Sequence, residues 1–240
     1  MNIICSNVNK RYTDKLALTD VNLELDAGIN VLIGSNGAGK STLLNILATV
    51  KTPTSGDIIY NKNTIFSKEY RDILGYLPQD FSTYDNLTAY EFLTYMAGIK
   101  GIDRQKAIAD INKYLDTFNL TQSANRKLSS YSGGMKQRIG IIQAIINNPK
   151  ILILDEPFNS LDPEERRTAK NLLKHLSKNS LIILSSHVLQ ELEEFDGKLI
   201  ALEQGQIKTV SMMKDLKKEY GMNFLERFYF DILHKSIKIK

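Results

Sequence analysis

Cysteine is almost absent from this sequence. Cys5 is the only one in 240 residues, so no disulfide framework can hold the chain, and one thiol makes no metal site by itself. That usage is compatible with a reducing compartment. Proline is scarce as well, confined to Pro53, Pro78, Pro149, Pro157 and Pro163. Long apolar runs are missing: the purest aliphatic stretches are as short as Ile151-Leu152-Ile153-Leu154, against the ~20 residues of a membrane span. No charged-then-apolar leader opens the chain. There is no repeat of fixed period and no low-complexity tract. Nor is there an excess of one charge: 31 Lys+Arg against 27 Asp+Glu leave +4, too little to argue for a nucleic-acid partner. Collagen, coiled coil, disordered and disulfide-scaffold classes are excluded, and the chain is expected to be soluble, unexported and unanchored.

What is present is the composition of an ordinary globular protein, 42% hydrophobic and 24% charged, long enough for one large domain or two small ones. Short apolar runs alternate with longer helical patterns, which predicts an α/β body. Residues 1–35 read as β, and a helix follows from Lys40 to about Thr49. Residues 56–77 read as β again. Residues 86–147 change character and read as a helical insert. Thr88-x-x-Glu91 is a capping box that opens one helix, Asp103 to Phe118 reads as a second, and Ser132 to Asn147 as a third. The alternation then returns. Ile151–Leu154 reads as a buried strand, and Asp162-Pro163-Glu164-Glu165 starts a helix to Leu176. Leu181–Leu184 is a strand, Val188–Glu194 a short helix, and Lys198–Leu202 with Gln206–Val210 a hairpin across Gln204-Gly205. Residues 211–240 close the chain with two short helices, the second opened by a capping box at Asn223-x-x-Glu226.

Gly34-Ser35-Asn36-Gly37-Ala38-Gly39-Lys40-Ser41 fits GxxxxGK[ST] at every fixed position, between an apolar strand and a helix. Glycines let successive backbone N–H groups turn onto phosphate oxygens, and the helix start adds its positive end. Lys40 supplies a charge to the outer phosphates. Ser41 offers its hydroxyl to Mg²⁺, with Thr42 beside it. The motif predicts a nucleoside triphosphate, without saying what its energy drives.

Asp155 and Glu156 end the Ile151–Leu154 strand, where an open parallel sheet places its ligands. Asp155 is placed to hold Mg²⁺, and Glu156 to orient or deprotonate an attacking water. Tyr131-Ser132-Gly133-Gly134-Met135-Lys136-Gln137-Arg138 puts a hydroxyl and two glycines at a helix start, a second anion site.

Together these residues resemble the ATP-binding-cassette (ABC) ATPases, in the family's order over residues 1–210. The family signature is usually LSGGQ; here its core Ser132-Gly133-Gly134 stands between altered ends, Tyr131 and Met135. The resemblance implies a P-loop NTPase core with an antiparallel β subdomain and an inserted α-helical subdomain. It divides the chain into a body, 1–80 and 148–210, and an insert, 81–147, with an extension at 211–240. It implies that Tyr12 stacks on adenine and that Gln79 contacts Mg²⁺ and the water. Ser160-Leu161-Asp162 matches the D-loop, and His187 matches the switch histidine at the γ-phosphate. His175 and His234 match no position of the pattern.

The same resemblance implies partners. Two chains would sandwich ATP head to tail, with Ser132, Gly133 and Gly134 completing the other chain's site. A separate membrane permease would dock near the Q-loop and the insert, at the cytoplasmic face of the membrane. Residues 80–99 hold Phe81, Tyr84, Tyr90, Phe92 and Tyr95. At about 100° per residue, Phe92, Tyr95, Met96 and Ile99 share one helix face, with Tyr90, Leu93 and Ala97 roughly opposite. Phe224, Leu225, Phe228, Tyr229 and Ile232 make a further apolar face, followed by a basic tail, Lys235 to Lys240. The signature form and the stretch from Phe81 look like cassettes of bacterial drug, antibiotic or peptide exporters. The alternative is a soluble ABC ATPase acting on ribosomes or DNA. Such proteins usually carry two cassettes or long insertions and often strong basic stretches, and no nucleic-acid partner is expected here.

Overall fold

The computed structural model describes residues 1–13 and 15–236, with 232–236 as backbone only. The expectations placed on Ile232, His234 and the tail from Lys235 to Lys240 lie outside the described side chains. The chain begins with β1 (Asn2–Tyr12), β2 (Lys15–Asp26) and β3 (Gly28–Ile33), followed by α1 (Lys40–Leu47). Next come β4 (Ser55–Tyr60), β5 (Asn63–Thr64), α2 (Lys68–Asp72) and β6 (Leu74–Leu77). Three helices follow: α3 (Ala89–Ile99), α4 (Arg104–Thr117) and α5 (Gly133–Ile145). The remainder runs β7 (Ile151–Leu154), α6 (Pro163–Leu176), β8 (Leu181–Ser185), α7 (Leu189–Leu192), β9 (Gly197–Glu203), β10 (Gln206–Met212), α8 (Met213–Tyr220) and α9 (Phe224–Ser236).

Two sheets carry the fold. One has the order β2-β1-β4-β5 and is antiparallel throughout. The other has the order β10-β9-β3-β8-β7-β6. Its strands β9, β3, β8, β7 and β6 run parallel, and β10 closes one edge antiparallel to β9. Strands buried on both faces read as unbroken apolar runs, which is why Ile151–Leu154 and Leu181–Leu184 show no polar alternation. Period-2 geometry splits each run between two cores. Val31, Ile33, Leu152, Leu154, Ile182 and Leu184 face the core shared with α3–α6. Leu32, Ile151, Ile153, Leu181 and Ile183 face α1 and the antiparallel sheet. Cys5 lies in that second core, and burial pushes its thiol up to about 12, so it is inert.

The capping signals read from the sequence act at the helix starts. Thr88 and Glu91 form a capping box on α3, and Asp162 and Glu165 form one on α6. Ser132 accepts the Met135 amide at the start of α5 (3.2 Å). The turn Gln204-Gly205 has positive φ at both residues, as a two-residue hairpin requires.

Two local expectations are corrected. The continuous β reading of 56–77 misses α2: the Ser67 hydroxyl caps the Tyr70 amide, and the buried Tyr70 hydroxyl donates to the Leu47 carbonyl (2.9 Å). A tertiary contact thus overrides the strand-like pattern. At α9 the expected capping box does not hold the helix start. The Leu225 amide donates to Glu193 (3.0 Å), while Glu226 accepts from Gln190 (3.1 Å). Asn223 there has a φ of 55°, in the left-handed region, rather than the extended backbone of an N-cap.

Helix α3 buries Ala89, Phe92, Leu93 and Ala97. The face drawn through Phe92, Tyr95, Met96 and Ile99 is divided: Phe92 packs edge-on to Phe81, while Tyr95 and Ile99 are exposed. Tyr84 rests against both Phe92 and Tyr95. No helix among the described residues is long and apolar enough to cross a membrane.

Candidate functional site

Four neighbouring parallel strands end on the same side of the sheet. Beyond Ile33 of β3 lies the loop from Gly34; beyond Leu154 of β7 lie Asp155 and Glu156. Beyond Leu77 of β6 lies Gln79, and beyond Ser185 of β8 lies His187. The register pairs Leu77 with Leu154, Leu154 with Leu184, and Leu32 with Ser185, so these ends are level. Carboxyl ends of a parallel sheet are where such folds bind ligands. They open on a cleft of about 440 Å³, lined among others by Tyr12, Asn36, Lys40, Ser41, Gln79 and Glu156. Thr42, Gly37 and Gly39 line it too.

The loop's shape depends on glycine at Gly39, the residue before α1. Its φ is 108°, and a Cβ there would lie 2.7 Å from the Ala17 carbonyl oxygen. Ala38 is buried, its amide bonded to the Ser35 carbonyl and its carbonyl to the Gly205 amide. The Lys40 ammonium folds onto the Gly34 and Ser35 carbonyls at 2.8 and 3.1 Å. Burial lowers its pKa, while Glu156 and Asp155 raise it. The ammonium is held over the loop by these two carbonyls.

The Ser41 hydroxyl lies 3.2 Å from Gln79 Oε1. Asp155 Oδ1 accepts the Ser185 hydroxyl at 2.5 Å, and its Oδ2 is buried with no hydrogen-bond partner among the described residues. Burial pushes the Asp155 carboxyl up from its ordinary value, with the neighbouring Glu156 charge adding to it and the Ser185 and Ser41 hydroxyls and the Lys40 charge opposing. A buried, unfilled carboxylate oxygen is costly unless a ligand completes it. Hydroxyl, amide and carboxylate oxygens are the hard donors that suit Mg²⁺, which takes few protein ligands and completes its shell with water and phosphate. The residues fit that ion.

Glu156 is held in an unusual conformation. Its φ of 53° is in the left-handed region, which strains a residue with a side chain. Three contacts hold it there. Its amide donates to the Ser185 hydroxyl (3.1 Å), and its Oε2 accepts the His187 amide (3.3 Å) and meets His187 Nδ1 (2.6 Å). The Gln137 side-chain amide fixes the Glu156 carbonyl from the side of α5 (3.2 Å). The sequence separates Glu156 from His187 by 31 residues and gives no sign that they pair.

Ser132, Gly133 and Gly134 are not among the residues lining this cleft. They pack instead on the loop before α6: a Cβ on Gly134 would lie 2.6 Å from the Ser160 carbonyl oxygen. Arg138 strengthens that junction, paired with Glu165 (2.8 Å) and donating to the Phe118 carbonyl (2.7 Å). Tyr131 is buried, its hydroxyl donating to the Ser123 carbonyl (2.7 Å). His175 is exposed, away from the cleft.

Several site residues escaped sequence reading. Lys15 lines the cleft, though as a lone lysine in a charged segment it carries no signal. Ser185 serves both carboxylate residues. Its only trace is a polar residue ending an apolar run just before His187.

A family model described as ABC transporter matches residues 18–159, which takes in every motif above except Tyr12, the residues after Asn159 and His187. The chain is 36% identical over 215 residues to the ABC transporter ATP-binding protein YxlF of Bacillus subtilis (strain 168), covering 89% of this chain and 72% of that protein. It is 37% identical over 226 residues to an ABC transporter A family member of Dictyostelium discoideum, covering 93% of this chain but only 26% of that larger protein. A solved dimeric ATP-binding cassette in a post-hydrolysis state, bound to ADP and Pi, superposes with a TM-score of 0.80 at 25% identity, over 88% of this chain and 98% of that one.

Proposed function

The chain belongs to the ABC transporter family as an ATP-binding cassette, and from that membership we propose that it is the ATP-hydrolysing subunit of a transporter whose membrane-spanning permease is a separate chain. The observation that carries this reading is the convergence of the Gly34–Thr42 loop, Asp155-Glu156, Gln79 and His187 on one cleft at four adjacent strand ends. Its α/β body is the P-loop fold of that family, with an antiparallel sheet beside a mostly parallel one.

In this reading Tyr12 stacks on the adenine, and the amides from Gly34 to Gly39 cradle the phosphates. Lys40 leaves the Gly34 and Ser35 carbonyls for the outer phosphate oxygens. Ser41, Gln79 and Asp155 would hold Mg²⁺, which would supply charge neutralisation at the phosphates. Glu156 accepts a proton from the attacking water. His187, paired with Glu156 at 2.6 Å, holds that carboxylate in place and reaches the γ-phosphate with its half-exposed ring.

The turn Ser132-Gly133-Gly134 opens a 13-residue helix, α5, yet serves no group in its own chain's cleft. Hydroxyl and amides at a helix start suit an anion, so this turn completes the site of a second, head-to-tail copy. Turnover per chain is therefore expected to rise with chain concentration and to level off once dimers dominate. Constant specific activity down to demonstrably monomeric dilution would overturn the shared site.

The permease docks beside Gln79 on the exposed aromatic side of α3, where Tyr84, Tyr95 and Ile99 face solvent. This places the chain peripherally at the cytoplasmic face of the membrane. The transported class is proposed as a drug, antibiotic or peptide moving outward. Co-purification from membranes with a polytopic partner tests that assignment, and recovery with ribosomes or DNA in its place would refute it.

A further inference from the structure

Helix α6 and helix α7 are joined by one ion pair, a buried Glu191 and a half-buried Arg166, whose two ends reach different parts of the site. Arg166 lies in the first turn of α6. Its Nη1 meets Glu191 Oε1 at 2.8 Å, and its Nη2 donates to the Leu161 carbonyl at 3.1 Å. Its Nε is buried with no hydrogen-bond partner among the described residues, so these two contacts are the ones that orient the guanidinium. Glu191 lies on α7 with its side chain only 9% exposed. Its second oxygen accepts the Ser186 hydroxyl at 3.4 Å, and Ser186 Oγ in turn accepts the Val188 amide at 3.1 Å. Ser186 and Val188 are the two neighbours of His187. The loop that carries His187 is thus pinned on both sides through one carboxylate.

The other end of the pair touches the turn on which Gly133 and Gly134 rest. Leu161 follows Ser160, which stands at φ 62°. Gly133 packs on the Ser160 side chain, and Gly134 on its carbonyl. A contiguous set of packed and hydrogen-bonded groups therefore runs from the Ser132-Gly133-Gly134 turn, through Ser160 and Leu161, to Arg166, Glu191, Ser186 and His187. A planar guanidinium bonded to two fixed acceptors transmits a displacement better than a flexible contact does.

We propose that Arg166 and Glu191 are a positioning pair for His187, which seats the imidazole against Glu156 and ties it to the loop beneath the Ser132–Gly134 turn. The proposal rests on the ATPase reading and extends it. Movement of that turn on a second chain's nucleotide reaches the switch histidine of its own chain through this pair. Neither residue touches the cleft, so the pair acts through His187 alone.

Glu191→Gln keeps the shape and removes the charge. In the full-length chain its kcat is expected to fall about ten- to a hundredfold, the loss that a small misplacement of a catalytic group produces. ATP affinity at equilibrium is expected to stay within about twofold, since binding groups are untouched. The ring ¹H–¹⁵N resonances of His187 are expected to move while those of His175 stay. A purely structural role would instead lower the melting temperature and leave the His187 signals of the folded fraction in place. Arg166→Lys keeps the charge and drops the Leu161 contact, so its kcat is expected between the two. Wild-type kcat with unshifted His187 resonances in Glu191→Gln overturns the proposal. Should that variant not fold, wild-type kcat in Arg166→Lys overturns it equally. Absence of turnover in the unmodified chain would instead count against the ATPase reading itself.

Discussion

Glu156→Gln is expected to cut ATP turnover by about 10²–10⁴-fold, the usual contribution of a general base, and to leave a stable ATP-bound dimer. The substitution is almost isosteric. The amide still donates to Ser185, and the side-chain oxygen still accepts the His187 amide, as the carboxylate does at 3.3 Å. The left-handed backbone is thus kept in place and nucleotide binding is preserved. What is lost is the capacity to take a proton from water, and with it the charged partner of His187 Nδ1. ATP then remains a ligand that favours the closed dimer, because the step that would remove it is gone. Size-exclusion chromatography with ATP and Mg²⁺ reads the dimer, and phosphate release reads turnover. Hydrolysis near the wild-type rate would remove Glu156 from the role of base.

Gly134→Val is expected to abolish turnover by a different route. A Cβ at this position would fall 2.6 Å from the Ser160 carbonyl oxygen and 3.3 Å from Glu165 Oε2. The Ser160 carbonyl belongs to the backbone and cannot swing aside, so the α5 start must move off the loop. Overpacking of this kind costs about 1–3 kcal/mol, which a domain can absorb. Displacing preorganised donors from a developing charge is far more damaging to rate, about 10²–10³ for a single donor. Because Gly134 does not line its own chain's cleft, the dilute variant is expected to bind ATP as the wild type does.

The two variants together make the sharper test. A mixed dimer of Glu156→Gln and Gly134→Val chains has one composite site with both defects and one with neither. Mixing two inactive preparations is therefore expected to restore turnover. If activity stays at the sum of the separate preparations, Gly134 serves its own chain and the head-to-tail assignment fails.

The division between what could and could not be read follows the range of the interactions. The phosphate loop was legible because its chemistry is local: backbone turn, lysine and hydroxyl come from eight consecutive residues, Gly34 to Ser41. The helix starts at Thr88, Asp103, Ser132 and Asp162 were legible for the same reason, since a cap and its amide lie within three residues of each other. Helix α2 was not, although it has a local cap too, the Ser67 hydroxyl on the Tyr70 amide. It is only five residues long inside a strand-like apolar pattern, and the contact that seats it is Tyr70 on Leu47, 23 residues away. The start of α9 was misread because Glu193 on another helix takes the amide that a local cap would have taken.

By itself, the sequence determined that this protein has a GxxxxGK[ST] loop, an acidic strand end and a second glycine turn, and that its core is a sheet buried on both faces. Local spacing and unbroken apolar runs are enough for that. Only the tertiary structure decided which groups meet. It set Glu156 against His187, ran Ser185 between the two acids, and left one buried oxygen of Asp155 without a hydrogen-bond partner among the described residues. It turned Ser132, Gly133 and Gly134 away from the cleft and joined Arg166 to Glu191. Those contacts link residues tens of positions apart, and their geometry follows from sheet register and helix packing, which no short stretch of sequence encodes.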